Sequence, residues 1–182
     1  MDNLTETKLT SEKIYSVCIL DFYRDTVRLP NGGTAPRELS RHVGAVCIVP
    51  LLDDGRVIVE RQFRYPVNEV ITEIPAGKRN SRDEAPEAAA RRELREETGL
   101  YLTAITHVLP PAACTVGIGD ERTVCVFGTA EGTFRPSADP MEEIESAWYT
   151  RAQVRALHET DLFGSWALAY SWMFANGCLP GA

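Results

Sequence analysis

Three glutamates crowd onto one turn of a predicted helix, and few folds can bury such a turn without a counter-charge. In the string Arg92-Glu-Leu-Arg-Glu-Glu-Thr-Gly-Leu100, Gly99 suits the position just past a helix end, while Pro86 suits the first turn. Between these limits Glu93, Glu96 and Glu97 fall at i, i+3 and i+4, on one face. Like charges at that spacing repel by roughly a few tenths of a kcal/mol per pair. Two readings follow. The helix is a solvated surface laced by pairs such as Glu87 with Arg91 and Arg92 with Glu96, or its carboxylates face a cation. Oxygen-only donors select a hard ion, Mg²⁺ or Mn²⁺, rather than zinc.

The longer string favours the cation. From Gly77 through Glu84 to the Arg92–Leu100 core it resembles the Nudix box, in which a glycine, a distant glutamate and Arg-Glu-x-x-Glu-Glu-x-Gly form loop, helix and loop. One spacing departs from that pattern. Six residues separate Gly77 from Glu84 where the family has five, so the loop carries an extra residue or Asp83 takes part instead. The resemblance implies Glu93 and Glu97 as principal metal ligands, with Glu96, Glu84 and the Ala76 carbonyl as further candidates and Arg92 orienting the glutamates. Mg²⁺ is the implied cofactor, with Mn²⁺ as the substitute. It also implies an α/β/α sandwich around a mixed sheet.

Composition narrows the partners. A net charge of −7 and a pI near 5.0 argue against nucleic acid or a membrane surface as nonspecific partners, since both polyanions select basic patches. No apolar run approaches the roughly 20 residues that span a bilayer, and the polar start Met1-Asp-Asn-Leu-Thr-Glu-Thr lacks the character of a signal peptide, so a cytoplasmic location is expected. Cys18, Cys47, Cys114, Cys125 and Cys178 are scattered and never spaced as Cys-x-x-Cys, which indicates neither a disulfide framework nor a zinc site.

Along the chain, short strands mix with a central and a terminal helix, an α+β pattern. Residues Lys13 to Leu29 alternate with period two before the turn Pro30-Asn-Gly-Gly33, predicting an N-terminal β-hairpin that returns through Thr34 to Val43. The expected organisation is a strand region over 1–42, to which the resemblance assigns dimerisation, followed by the Nudix-like domain over 43–182. Strands are predicted at Gly44–Leu52, Arg56–Phe63, Val70–Ile74, Tyr101–Leu109, Arg122–Ala130 and Ile144–Tyr149. In the second of these, Val57 and Val59 share one face and Ile58 and Glu60 the other. Thr150 is placed to cap a helix over Ala152–His158. A last helix over Ser165–Ala175 would pack Trp166, Ala169, Tyr170 and Met173 on the sheet.

The flanks sharpen the resemblance. Arg61-Gln-Phe-Arg-Tyr-Pro66 and Glu73-Ile-Pro-Ala-Gly77 are similar to the nucleoside diphosphate sugar branch, ADP-ribose pyrophosphatases above all. That likeness implies a nucleotide-sugar substrate, with Arg64 approaching its phosphates and Glu73 close by; a stacked surface arginine and its structural acid are the plainer alternatives. It further implies a general base from a late acidic segment, Glu142 first and Glu143 next, with Glu121 as the alternative and Glu96 also in the catalytic set. A solvated acidic loop is the plainer reading there. Branch dimers exchange N-terminal strands and sandwich adenine between aromatic residues, a role open to Tyr15, Phe22 and Tyr23, with Arg41 reaching across the interface. Hairpin packing is the alternative for each aromatic. Where the branch has Pro-Gly before its loop glutamate this chain has Val116-Gly117, which leaves the base and the sugar open. Other nucleotides, such as modified dNTPs or dinucleoside polyphosphates, and a noncatalytic nucleotide-binding regulator are the competing readings.

Overall fold

Alternation and turn chemistry divide the chain into eleven strands and three helices among the described residues, 4–17 and 20–179 of a computed structural model. In chain order these are β1 (Thr7–Ser16), β2 (Asp21–Arg28), β3 (Thr34–Arg41), β4 (Ala45–Leu51), β5 (Val57–Arg64), β6 (Glu69–Glu73), β7 (Ala76–Lys78), α1 (Pro86–Thr98), β8 (Tyr101–Val108), β9 (Ala112–Ala113), β10 (Arg122–Glu131), β11 (Ile144–Tyr149), α2 (Arg151–Thr160) and α3 (Ser165–Ala175). Two compact units result. The first takes the chain up to Gly44 together with Ala112–Thr123, and the second takes Ala45–Pro111 with Val124 onward.

The first unit is a three-stranded antiparallel sheet in the order β1-β2-β3, so the expected single hairpin gains a strand. The chain reverses between Ser16 and Asp21, where Val17 N–H donates to the Leu20 carbonyl at 3.0 Å and the Asp21 carboxylate accepts from Lys13 Nζ and Ser16 Oγ. No glycine, proline or asparagine punctuates that reversal, so the period-two pattern runs through it. Cys18, part of the predicted alternation, lies outside the described residues. Asp120 closes the same unit by accepting from His42 N–H at 2.7 Å, while Gly119 bridges to Ser40.

In the second unit a mixed sheet runs β11-β5-β4-β10-β8, with β6 beside β5 and β7 beside β4. The run Val46-Cys-Ile-Val49 is buried on both faces, as a strand between two helical layers must be. Ile48, Ile58 and Val126 meet Ala90 and Leu94 of α1 on one side; Val49, Val59 and Phe127 meet Val154 of α2 and Phe174 of α3 on the other. Cys47 and Cys125 belong to this second layer, both buried. Thr150 caps α2 through a reciprocal pair with Gln153. On α3 the buried residues are Ala167, Ser171, Phe174 and Ala175; Tyr170 and Met173 of the expected stripe pack against the same core, while Ala169 is exposed and Trp166 half-buried. Apolar side chains surround this helix, so its pattern does not single out a face, and Ser171 is tolerated inside because its hydroxyl bonds His158 Nε2 at 2.9 Å.

Helix α1 ends as its sequence dictates. Gly99 adopts φ 77° and donates to the Arg95 carbonyl at 3.1 Å. A Cβ there would lie 2.8 Å from Arg135 Cβ and 3.1 Å from its backbone nitrogen, the nitrogen that bonds the Thr98 carbonyl. Gly99→Ala is therefore expected to cost roughly 1–3 kcal/mol, combining the left-handed conformation with the clash. Urea denaturation monitored by far-UV circular dichroism measures it, and a loss under about 0.5 kcal/mol would contradict the packing described.

Candidate metal and catalytic site

The carboxylates meet where α1 crosses the sheet. Glu97 is only 7% exposed, and its Oε2 accepts the Ala76 N–H of β7 at 3.1 Å. Glu93, a turn earlier, rests against Gly77: a Cβ on that glycine would come within 2.1 Å of the Glu93 carboxyl carbon. Only glycine lets β7 approach so closely, which gives the first residue of the motif its physical meaning.

Arg92 gathers three glutamates. Its guanidinium reaches both Glu84 oxygens at 3.2 Å, Glu93 Oε1 at 2.7 Å and Glu96 Oε2 at 3.0 Å, and it donates to the Lys78 carbonyl at 3.1 Å. Glu84 is fixed from its other side by Asn80 N–H at 2.6 Å, while Arg79 donates to the Glu84 and Arg82 carbonyls. The loop over 79–84 thus closes on itself and absorbs the extra residue, and Glu84 rather than Asp83 reaches Arg92. Arg92 and the Asn80 amide hold the Glu84 carboxyl below its ordinary range.

The opposite trend marks the interior. Burial raises Glu97 well above the usual carboxylate value, and the charges of Glu60, Glu93 and Glu142 push it further. Burial also raises Glu93, against the pull of Arg92. Glu60, which sequence reasoning passed over, is 4% exposed and is pushed up to about 7, first by burial and then by Glu73 and Glu142, against Ser146 and Arg64. It shares the inward face of β5 with Ile58, and Ser146 Oγ donates to it at 2.8 Å. An acid ending the run Val57-Ile-Val59 was the available signal.

Glu142 comes from the segment after β10, which is tied to the C-terminal end of α1. Arg135 and Ala138 N–H groups occupy the Thr98 and Glu96 carbonyls, both at 2.8 Å, satisfying acceptors that a helix end leaves open. Asp139 then closes a turn by accepting from Met141 N–H at 2.8 Å with its side chain and from Glu142 N–H at 3.1 Å with its carbonyl. Glu142 and Glu143 are exposed. A cleft of about 540 Å³ opens here, lined by Arg61, Phe63, Val70, Pro136 and Glu142. On the same face of β5 as Glu60, Arg64 donates through Nε to Glu73 at 2.7 Å.

The remaining sequence candidates lie in the first unit. Tyr15 and Phe22 are register partners, 61% and 42% exposed. Arg41 stacks 4.3 Å from the Tyr23 ring and pairs with Asp25 at 3.3 Å. Glu121 accepts Cys114 N–H through its carbonyl at 3.2 Å.

In kind, the donors fit a hard divalent cation: oxygen only, with like charges buried together. Among the described residues no group of three or more acidic, histidine or cysteine side chains is already drawn into a closed cage, because Glu93 and Glu96 are turned onto Arg92.

A family model described as the NUDIX domain matches residues 41–167. The chain is 42% identical to an ADP-ribose pyrophosphatase of Bacillus subtilis (strain 168) over 59% of its own length and 58% of the relative's, so it spans under two thirds of that protein. To an ADP-ribose pyrophosphatase of Mycobacterium tuberculosis (strain ATCC 25618 / H37Rv) it is 34% identical, over 88% of this chain and 79% of the other. The crystal structure of an ADP compounds hydrolase superposes with a TM-score of 0.77 at 20% identity, covering 96% of this chain and 97% of that one, a likeness of fold.

The raised carboxylates set a pH dependence. For Glu60, between the ordinary value of 4.5 and about 7 the folded protein keeps a proton that the unfolded chain has released, so stability falls as pH rises through that window, and the raised Glu93 and Glu97 act in the same direction. Asp21, Asp54, Glu84 and Asp161, whose values are lowered, titrate below it. A divalent cation removes the penalty, so Mg²⁺ is expected to raise the melting temperature more at about pH 8 than at about pH 5.5. Differential scanning fluorimetry with and without Mg²⁺ checks this; an equal shift at both pH values would contradict it.

Proposed function

The chain belongs to the NUDIX family, and from that premise we propose that it hydrolyses the diphosphate bond of ADP-ribose or a related nucleoside diphosphate sugar, releasing a nucleoside monophosphate and a sugar phosphate. The observation that carries this reading is the buried Glu97 carboxylate, hydrogen-bonded to Ala76 N–H and pressed by the charges of Glu60, Glu93 and Glu142. Such a cluster worsens repulsion toward a diphosphate unless a cation lies between them. Mg²⁺, or Mn²⁺ in its place, would supply charge neutralisation at phosphorus when bound.

Glu93 and Glu97 would hold that ion, with Glu96 and the Ala76 carbonyl as further donors. Glu84 anchors Arg92, and Arg92 in turn restrains Glu93 and Glu96. Arg64, oriented by Glu73, offers its guanidinium to the phosphates. Glu142 would take the proton of the attacking water, from a segment seated on the end of α1 and lining the cleft. The same reading has the enzyme act in the cytoplasm as a homodimer. What supports the dimer is β1, exposed along its whole length, and the facing aromatic pair Tyr15 and Phe22.

Incubation with Mg²⁺ and a panel of ADP-ribose, other nucleoside diphosphate sugars, NADH and modified dNTPs is expected to yield AMP and ribose 5-phosphate from ADP-ribose fastest. Faster release from dNTPs would move the protein to another branch.

Two substitutions separate ion from base. Glu97→Gln is expected to remove nearly all turnover and weaken Mg²⁺ binding while the fold persists, whereas Glu142→Gln is expected to lower kcat by roughly 10²–10⁴-fold with substrate and metal affinity nearly intact. Steady-state kinetics beside Mg²⁺ titrations read both. A full-rate Glu142→Gln enzyme would take that residue out of the mechanism, and parallel kinetics on Glu121→Gln and Glu143→Gln would then locate the base.

A further inference from the structure

The connection between α2 and α3 docks on strand β6 at a single residue. Thr72 N–H donates to the Leu162 carbonyl at 2.7 Å, Gly164 N–H donates to the Thr72 carbonyl at 3.0 Å, and Phe163 between them is the parallel bridge partner of Thr72. Thr72 Oγ1 adds a third bond, donated to Asp161 Oδ2 at 2.7 Å. Asp161 also accepts from Thr160 Oγ1 at 2.7 Å and lies 3.8 Å from Nε of Arg61, the residue opposite Thr72 on β5. Thr72 is 1% exposed, so these bonds form out of water, where they are strongest and costliest to leave unmade. The docked connection therefore fixes the backbone that carries the next residue, Glu73.

Gly164 ends the connection against the Glu73 side chain. A Cβ there would lie 3.1 Å from Glu73 Oε1, 3.4 Å from its Cγ and 3.7 Å from its Cδ, so the carboxylate rests on bare backbone. Its other oxygen, Oε2, accepts from Arg64 Nε at 2.7 Å. The backbone does not demand glycine at this point, since φ −62° and ψ 147° suit any residue. What glycine supplies is room. Arg64 is a long, flexible side chain, 41% exposed, and an ion pair at such a site orients it only if the carboxylate is already held. We propose that Gly164 is a positioning residue: anchored on Thr72, its missing side chain seats the Glu73 carboxylate, and Glu73 aims Arg64 at the substrate phosphates. The inference rests on the reading of Arg64 as the phosphate-recognising residue in diphosphate hydrolysis.

Steady-state kinetics with ADP-ribose and Mg²⁺ test this on the parent, Gly164→Ala, Gly164→Val, Thr72→Val, Arg64→Ala and the double variant Gly164→Val with Arg64→Ala. A larger side chain at 164 displaces the carboxylate further, so KM is expected to rise about threefold in Gly164→Ala and about tenfold or more in Gly164→Val, with kcat within about twofold of the parent. In Arg64→Ala the group that the seat aims is gone, and adding Gly164→Val should change KM by less than about twofold. A glycine needed only for packing predicts instead that the two penalties multiply. Multiplied penalties, or a parent-like KM in Gly164→Val, overturn the proposal and leave the reading of Arg64 standing. A parent-like KM in Arg64→Ala overturns both, as does a parent inert toward ADP-ribose and other nucleoside diphosphate sugars. Should the Gly164 variants fail to melt cooperatively, Thr72→Val decides: it removes the Asp161 bond and loosens the connection, so KM is expected to rise about twofold or more, and an unchanged KM overturns the proposal.

Discussion

Negative charge held inside the junction of helix and sheet is the constraint on which the second unit turns. Repulsion along the surface of α1 is worth only tenths of a kcal/mol, whereas a buried, unmatched carboxylate costs several. The arrangement divides the charges accordingly. Arg92 matches the glutamates that remain near solvent, Glu84 and Glu96, and also Glu93 at the boundary. Glu97 and Glu60 lie beyond its direct reach, supported by a backbone N–H and a serine hydroxyl. The residual imbalance lies at these two inner carboxylates, where burial raises proton affinity.

That division explains features remote from the charges. Gly77 is needed because β7 must come within contact of the Glu93 carboxylate while supplying, one residue earlier, the amide that holds Glu97. The sharp end of α1 at Gly99 matters because the segment after β10, which leads to the later acidic residues, is hydrogen-bonded onto it. Carbonyls left open at the helix terminus recruit Arg135 and Ala138, and at the next residue Asp139 turns the chain so that Glu142 follows. A helix end and an Asx turn, both ordinary devices, thus bring a late glutamate to bear on residues some fifty positions earlier.

Much of this was legible where local chemistry decides. Pro86 and Gly99 bounded α1, Thr150 marked the cap of α2, and the limits of β11 and α3 followed from pattern and punctuation. Legibility failed where burial comes from both sides or from all round. Glu60 sits in a strand enclosed by two helical layers, so alternation between faces carried no information about exposure. Helix α3 is apolar on nearly every side, and tertiary packing kept Tyr170 and Met173 of the expected stripe on the core but buried Ala167 and Phe174 rather than Trp166 and Ala169. The reversal between β1 and β2 is stabilised by Asp21 side-chain bonds instead of turn residues, so nothing in the local pattern announced it.

Helical phase fixes the spacing of the motif core, whereas its flank tolerates a change in length. Spacing from Arg92 to Gly99 fixes which carboxylates point inward, and a one-residue change there would rotate every later glutamate by about 100°, a full change of face. The stretch from Gly77 to Glu84 has a weaker requirement: it must return a carboxylate to Arg92. Arg79 and Asn80 meet that requirement by closing the loop on Glu84 through backbone carbonyls and an amide, groups present whatever the side chain. An added residue therefore lengthens the loop without moving the salt bridge. Helical phase constrains the site; loop length does not, so long as the carboxylate comes home.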